Sequence, residues 1–157
     1  MIEIVIVALG IVLDQLTKLW AVHALSGGTS IDIIKGVVSF TYTQNTGVAF
    51  GWLSGQSWIF FGITVPVMLV IIYVLIRYKS ERIVSISLAL ILAGAFGNFI
   101  DRVALQYVRD FIYFEMINFP VFNTADSLVT IGGIMLGVKI LFGKDPILSQ
   151  KREIFGR

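Results

Sequence analysis

Two aspartates, Asp110 and Asp126, are the residues of this 157-residue chain whose types and spacing best suit chemistry. Asp126 stands in F-P-V-F-N-T-A-D-S at 119–127, just inside what reads as the first turn of an apolar helix. Asp110 stands about one loop earlier, in V-R-D-F-I. A carboxylate in hydrocarbon costs at least a few kcal/mol, so an acid kept at membrane depth marks a candidate site. Two neighbouring carboxylates do not both ionise easily: one retains a proton while the other acts as a base. Such a pair can activate water, polarise a peptide carbonyl and protonate the leaving amine, with no covalent intermediate, metal or cofactor. Which of the two holds the proton stays open. A competing arrangement is Ser127, or another serine, with Lys18 as its base. It ranks lower because nothing in the sequence places Lys18 beside a particular serine.

An acid pair of this kind needs elements that hold it at one depth. The chain is 57% hydrophobic and only 14% charged, against roughly a quarter charged in an ordinary soluble domain. It therefore reads as an integral membrane protein, all α in its spanning part, with residues 1–157 forming a single domain. The absence of cysteine excludes disulfides, thiolate metal sites and a cysteine nucleophile. One histidine argues against a multi-histidine metal centre, so neither a metal nor a cofactor is expected. A net charge of +2 makes no case for nucleic acid. The first apolar stretch contains Asp14 and Lys18 and lacks a small-x-small cleavage site, so it reads as a retained helix.

Four stretches approach the ~20 residues that a bilayer core requires: about 4–22, 58–76, 83–100 and 121–142. Pro66 falls inside the second, which membrane helices tolerate. Between the first two spans, Ser39–Thr43 alternates as a half-buried strand does, bounded by Gly36 and Gly47. A small sheet outside the membrane is expected there. Residues 102–119 read as a loop whose aromatics, Tyr107, Phe111, Tyr113 and Phe114, anchor at the interface. The basic segments are the loop with Arg77, Lys79 and Arg82 and the tail with Lys144, Lys151, Arg152 and Arg157. The bias of Lys and Arg puts both in the cytoplasm, with both termini. Trp20, Trp52 and Trp58 then lie near the outer interface.

With that orientation the polar residues sort by depth. Asp14 and Lys18, four apart on one helix face, lie in the outer half, as do Asn98, Asp101, Arg102, Asn123 and Asp126. The inner halves hold nothing comparable in this reading, which argues against an ion path through the whole membrane. Plainer roles stay open for several of them. Asp14–Lys18 can be a satisfied structural pair. Asp101 and Arg102 can anchor a helix end by snorkelling, and Asn123 can be a helix N-cap. Gly94, Gly97, Gly133 and Gly137 are expected to allow close helix packing, the last two as a G-x-x-x-G match. His23 reads as exposed and without a role.

Four blocks then carry a family resemblance: D-Q-L-T-K at 14–18; N-T-G-V-A-F-G at 45–51; G-N-F-I-D-R at 97–102 with V-R-D-F-I at 108–112; and F-N-T-A-D-S at 122–127. In this order and spacing the chain resembles the lipoprotein signal peptidases, bacterial signal peptidase II. The resemblance implies an aspartic endopeptidase with four membrane helices. Its substrate is a prolipoprotein whose cysteine carries diacylglycerol, and it cuts just before that cysteine. Asp110 and Asp126 match the family's catalytic pair. Asn45, Asn98, Arg102 and Asn123 match polar residues around substrate or dyad, and Gly47 belongs with this supporting set. Asp14, Lys18 and Asp101 match positions that support the architecture. The expected sheet corresponds to an extracytoplasmic cradle, and a short amphipathic helix near 47–54 gates the cleft. The expected partners are the lipidated prolipoprotein and membrane lipids, with the chain a monomer. Its place is the bacterial cytoplasmic membrane, multi-pass, with the active site at the outer leaflet. A reading from another class is a small transporter or lipid-binding scaffold whose aspartates relay protons or hold a cation. The absence of internal repeats counts against it.

Overall fold

The computed structural model describes residues 1–47, 57–77, 81–117 and 119–143. Its elements are helix α1 (Ile2–Leu25), strands β1 (Ser30–Ile34) and β2 (Val38–Asn45), helices α2 (Ser57–Arg77) and α3 (Arg82–Leu105), strand β3 (Val108–Phe114), a single 3-10 turn (Glu115–Ile117) and helix α4 (Thr124–Phe142). The helices fall on the four apolar stretches to within a few residues. Helices α3 and α4 are long and apolar enough to cross a bilayer, with mean hydropathies of 2.2 and 1.6.

The distribution of residues is inverted relative to a water-soluble protein. Ile4, Leu9 and Leu16 on α1, Leu69 on α2 and Ile140 and Leu141 on α4 are exposed, whereas Asp14, Lys18 and Asp101 are completely buried. Water would penalise such an exterior, because each exposed apolar side chain forgoes the gain of burial. Hydrocarbon does not penalise it.

Helix α3 is the central element, packed against α4 on one side and α1 on another. Two of its glycines make these approaches possible. A Cβ at Gly94 would run into the Ala125 carbonyl of α4, and one at Gly97 into the Asp14 carboxylate of α1. The G-x-x-x-G pair behaves differently from expectation. A Cβ at Gly133 or Gly137 would meet nothing within 4 Å, and the packing glycine of α4 is Gly132, set against Ser87 and Ile91. One residue is a rotation of about 100° on a helix, so the motif's spacing does not reveal which glycine faces inward.

The three strands form one antiparallel sheet in the order β1-β2-β3. The expected strand lies within β2. The stretch expected to be an aromatic loop supplies β3, paired so that Asp110 lies opposite Thr43 and Arg109 opposite Gln44. Two of its aromatics are accordingly not interface anchors. Phe111 is buried in an apolar cluster with Ala21 and Leu25, and Phe114 stacks on Phe122. Trp20 meets Phe40 and Phe111 edge to face, with centroids 5.3 and 6.1 Å away. These contacts fasten the sheet to the C-terminal end of α1. The expected amphipathic helix beyond Gly47, Trp52, Lys79 and the basic tail (Lys144, Lys151, Arg152, Arg157) lie outside the described residues.

Candidate active site

Asp126 owes its position to the start of α4. Asn123 is the N-cap: its Oδ1 accepts from the Asp126 N–H at 3.0 Å, and the Asp126 carboxylate accepts from the Asn123 N–H at 3.2 Å. This reciprocal capping box fixes the first turn. A second unpaired helix-start donor, the Ala125 N–H, is taken by the Asp14 carboxylate of α1 at 2.8 Å. Asn123 thus has both the plain role and a place in the site.

Asp110 owes its position to a buried ionic clasp. Helix α3 ends at Gln106, whose φ of 65° is left-handed, and the chain turns back into β3. There the Arg109 side chain donates to Asp101 from Nε at 3.1 Å and Nη2 at 2.6 Å, while its backbone N–H donates to Asp101 at 3.0 Å. Asp101 is therefore not a snorkelling anchor. Lys18 Nζ lies 2.9 Å from Asp14 and 3.5 Å from Asp101. Gln15 ties the group together, donating to Asp14, Asp101 and the Gly97 carbonyl and accepting from Arg109 at 2.7 Å. Two acids and two bases balance here, which is how charge survives burial. Arg109 and Gln15 complete this clasp beside the candidate site, and sequence reasoning missed both. Gln15 lies inside the D-Q-L-T-K block, which was the available signal.

With Asp14 and Asp101 balanced in the clasp, Asp110 and Asp126 are the two remaining acids of this cluster. Both line one cavity of about 710 Å³, together with Asn45, Gly47, Asn98 and Arg102. Its remaining wall is largely apolar, including Phe114, Ile117, Phe119 and Phe122. Asp110 accepts from Asn45 Nδ2 at 2.9 Å and Asn123 Nδ2 at 2.6 Å. Asp126 accepts from Asn98 Nδ2 at 2.7 Å. The Gly47 N–H donates to Asn45 Oδ1 at 3.0 Å. Arg102 interacts electrostatically with both aspartates. Among the described residues the serine–lysine alternative finds no geometry: Ser127 Oγ donates to the Asn123 carbonyl at 3.0 Å, and Lys18 is held by carboxylates and by Asn98. At the other end of the helices two charged groups escaped the sequence reading. Glu3, in the first turn of α1, is buried, and Lys139, in the last turn of α4, lies 3.5 Å from Glu81. Both sit at helix ends and do not extend the buried cluster of Asp14, Lys18, Asp101 and Arg109 into a path.

Burial raises the Asp110 carboxyl from 3.8 to about 7; the nearby Asp126 adds to this, and the Asn45 and Asn123 donors only partly offset it. Between those two values the folded protein holds a proton that the unfolded chain has released. Stability from this group is therefore greatest at low pH and declines as pH rises towards 7, by at most about 1.4 kcal/mol per unit. Thermal unfolding in detergent from about pH 5 to about pH 8 should show the wild-type Tm falling, and a shallower fall for Asp110→Asn. Equal slopes would exclude an elevated Asp110.

The sequence and the fold have counterparts among known proteins. Residues 6–142 match the family model for signal peptidase (SPase) II. The lipoprotein signal peptidase of Clostridium tetani is 45% identical over 88% of this chain and 92% of its own length. That of Bacillus subtilis is 43% identical over 90% of this chain and 94% of its own. A solved bacterial membrane enzyme superposes with a TM-score of 0.81 at 33% identity, covering 92% of each chain. A membrane-suited exterior, two acids from different elements in one cavity, and likeness along nearly the whole length agree: the chain belongs to the signal peptidase II family.

Proposed function

We propose that this chain is an aspartic endopeptidase of the bacterial cytoplasmic membrane. It removes the signal peptide from prolipoproteins whose cysteine already carries diacylglycerol, cutting immediately before that cysteine. The observation that carries the reading is the shared cavity: Asp110 from β3 and Asp126 from α4 open onto one partly apolar space. One carboxylate takes a proton from water as its oxygen attacks the peptide carbonyl carbon. The other donates a proton to the carbonyl oxygen. When the C–N bond breaks, the amine nitrogen receives a proton from one carboxyl and a diol hydroxyl returns one to the other carboxylate, which restores the pair as the new carboxyl group forms. Asn45, Asn98, Asn123 and Arg102 orient substrate and carboxylates. Asp14, Lys18 and Asp101 hold the frame, and Gly47 fixes Asn45. The aromatic wall suits the apolar signal peptide and the acyl chains.

Residues 1–157 form one multi-pass domain in which α1 to α4 all span, with both termini cytoplasmic and the cavity at the outer leaflet, where the lipidated cysteine resides. The chain works as a monomer without metal or cofactor. Support for four spans comes from the apolar exposure of α1 and α2 as well as of α3 and α4. The test is direct. Purified enzyme should shorten a diacylglyceryl-modified prolipoprotein on a gel, and mass spectrometry should place the new N-terminus at the lipidated cysteine. The unmodified precursor should stay intact. Failure on the lipidated substrate would sink the reading, and equal cleavage of both forms would remove the lipid requirement.

A further inference from the structure

Three asparagine amides serve the two carboxylates, and each is oriented by a donor at its oxygen end. Asn45 Oδ1 accepts from the Gly47 N–H, leaving Nδ2 for Asp110. Asn123 Oδ1 accepts from the Asp126 N–H, leaving Nδ2 for Asp110. In both cases the orienting donor is a backbone N–H freed by a turn or a helix start. Asn98 has no such neighbour, because it lies inside α3, where N–H groups are consumed by the helix itself. Its Oδ1 accepts from the Lys18 ammonium at 2.9 Å and from Asn123 Nδ2 at 3.1 Å, and its Nδ2 donates to Asp126 at 2.7 Å.

An ammonium has three donors and no acceptor. Flipping the Asn98 amide would set its NH2 against Lys18 and Asn123, two donors, and its oxygen against the Asp126 carboxylate. Lys18 cannot turn away either. Asp14 and Asp101 hold its other protons, and the side chain is completely buried. It does not line the cavity.

We propose that Lys18 is a positioning residue for peptide-bond cleavage. It acts through Asn98, fixing that amide so that Asp126 always faces its donor, as backbone N–H groups do for the other two asparagines. The proposal rests on the aspartic reading of the site. It is tested on the purified full-length chain with lipidated prolipoprotein, comparing Lys18→Met, Asn98→Ala and the double variant. Each single change should lower kcat roughly a hundredfold while KM stays within about twofold. Both should displace the acidic limb of the pH–rate profile in the same direction. The double variant should fall no more than about threefold below Asn98→Ala, because a relay broken at one link loses little more at the next.

Losses that multiply, or a Lys18→Met enzyme with wild-type kcat, would overturn the relay. Should Lys18→Met fail to unfold cooperatively, Lys18→Gln, which keeps a donor in the slot, takes its place. Its kcat should lie between wild type and Asn98→Ala alone, and match Asn98→Ala when combined with it. A multiplied loss again overturns the proposal. A wild type that does not cut at all sinks the peptidase reading and this proposal together. Multiplied losses in an active enzyme sink the relay alone.

Discussion

Purified Asp110→Asn and Asp126→Asn should remain folded and lose at least about three orders of magnitude in cleavage rate. Asparagine keeps the shape of aspartate but can neither take a proton from water nor hold one for the leaving amine, and proton transfer of this kind is worth about 10²–10⁴. The structural cost is smaller. Asp126 accepts from Asn98 Nδ2 and from the Asn123 N–H, and Asp110 from Asn45 and Asn123. In each variant one of two donors loses its acceptor, at about 1–3 kcal/mol. Single-turnover cleavage of lipidated prolipoprotein, alongside thermal unfolding, separates the two effects. A variant retaining more than about a hundredth of wild-type rate would exclude its aspartate from the pair. Ser127→Ala is the control, and should stay within a few-fold of wild type.

Asp101→Ala should produce the largest loss of stability, about 3–5 kcal/mol. The substitution removes the acceptor of three Arg109 donors and one Gln15 donor and the partner of Lys18. Arg109 and Lys18 would remain buried with less countercharge than they need. Because Arg109 adjoins Asp110, cleavage should be lost along with stability. Denaturant unfolding in mixed micelles measures the first effect. A cost below about 1 kcal/mol would mean that water replaces the carboxylate without difficulty.

The parts of this site that could be read from sequence are those that contrast with their surroundings. Asp14, Lys18, Asn98, Asp101 and Asp126 stand out because each interrupts an apolar run, where a polar group demands a reason. Arg109 does not stand out. It lies in the stretch that reads as an aromatic loop, and its partner is fixed by how α3 meets β3. Strand β3 was hidden for a related reason. Val108, Arg109, Asp110 and Phe111 are all buried, so the two-residue alternation that betrays a half-exposed strand is missing. The glycines show the same limit from another side: Gly132 and Gly133 are equivalent in sequence, and only the rotation of α4 makes the first a packing residue and the second an open one.

The turn at Gln106 makes the chain between Asp101 and Arg109 a ruler. Successive side chains of a strand point to opposite sides. Arg109 accordingly reaches back to the clasp while Asp110 opens into the cavity. One residue added or removed between Gln106 and Arg109 would exchange them. The acid would be sent into the salt bridge and the guanidinium into the cavity, with every helix still intact. For anyone grafting a tag or probe into this protein, those few residues are where length matters more than identity.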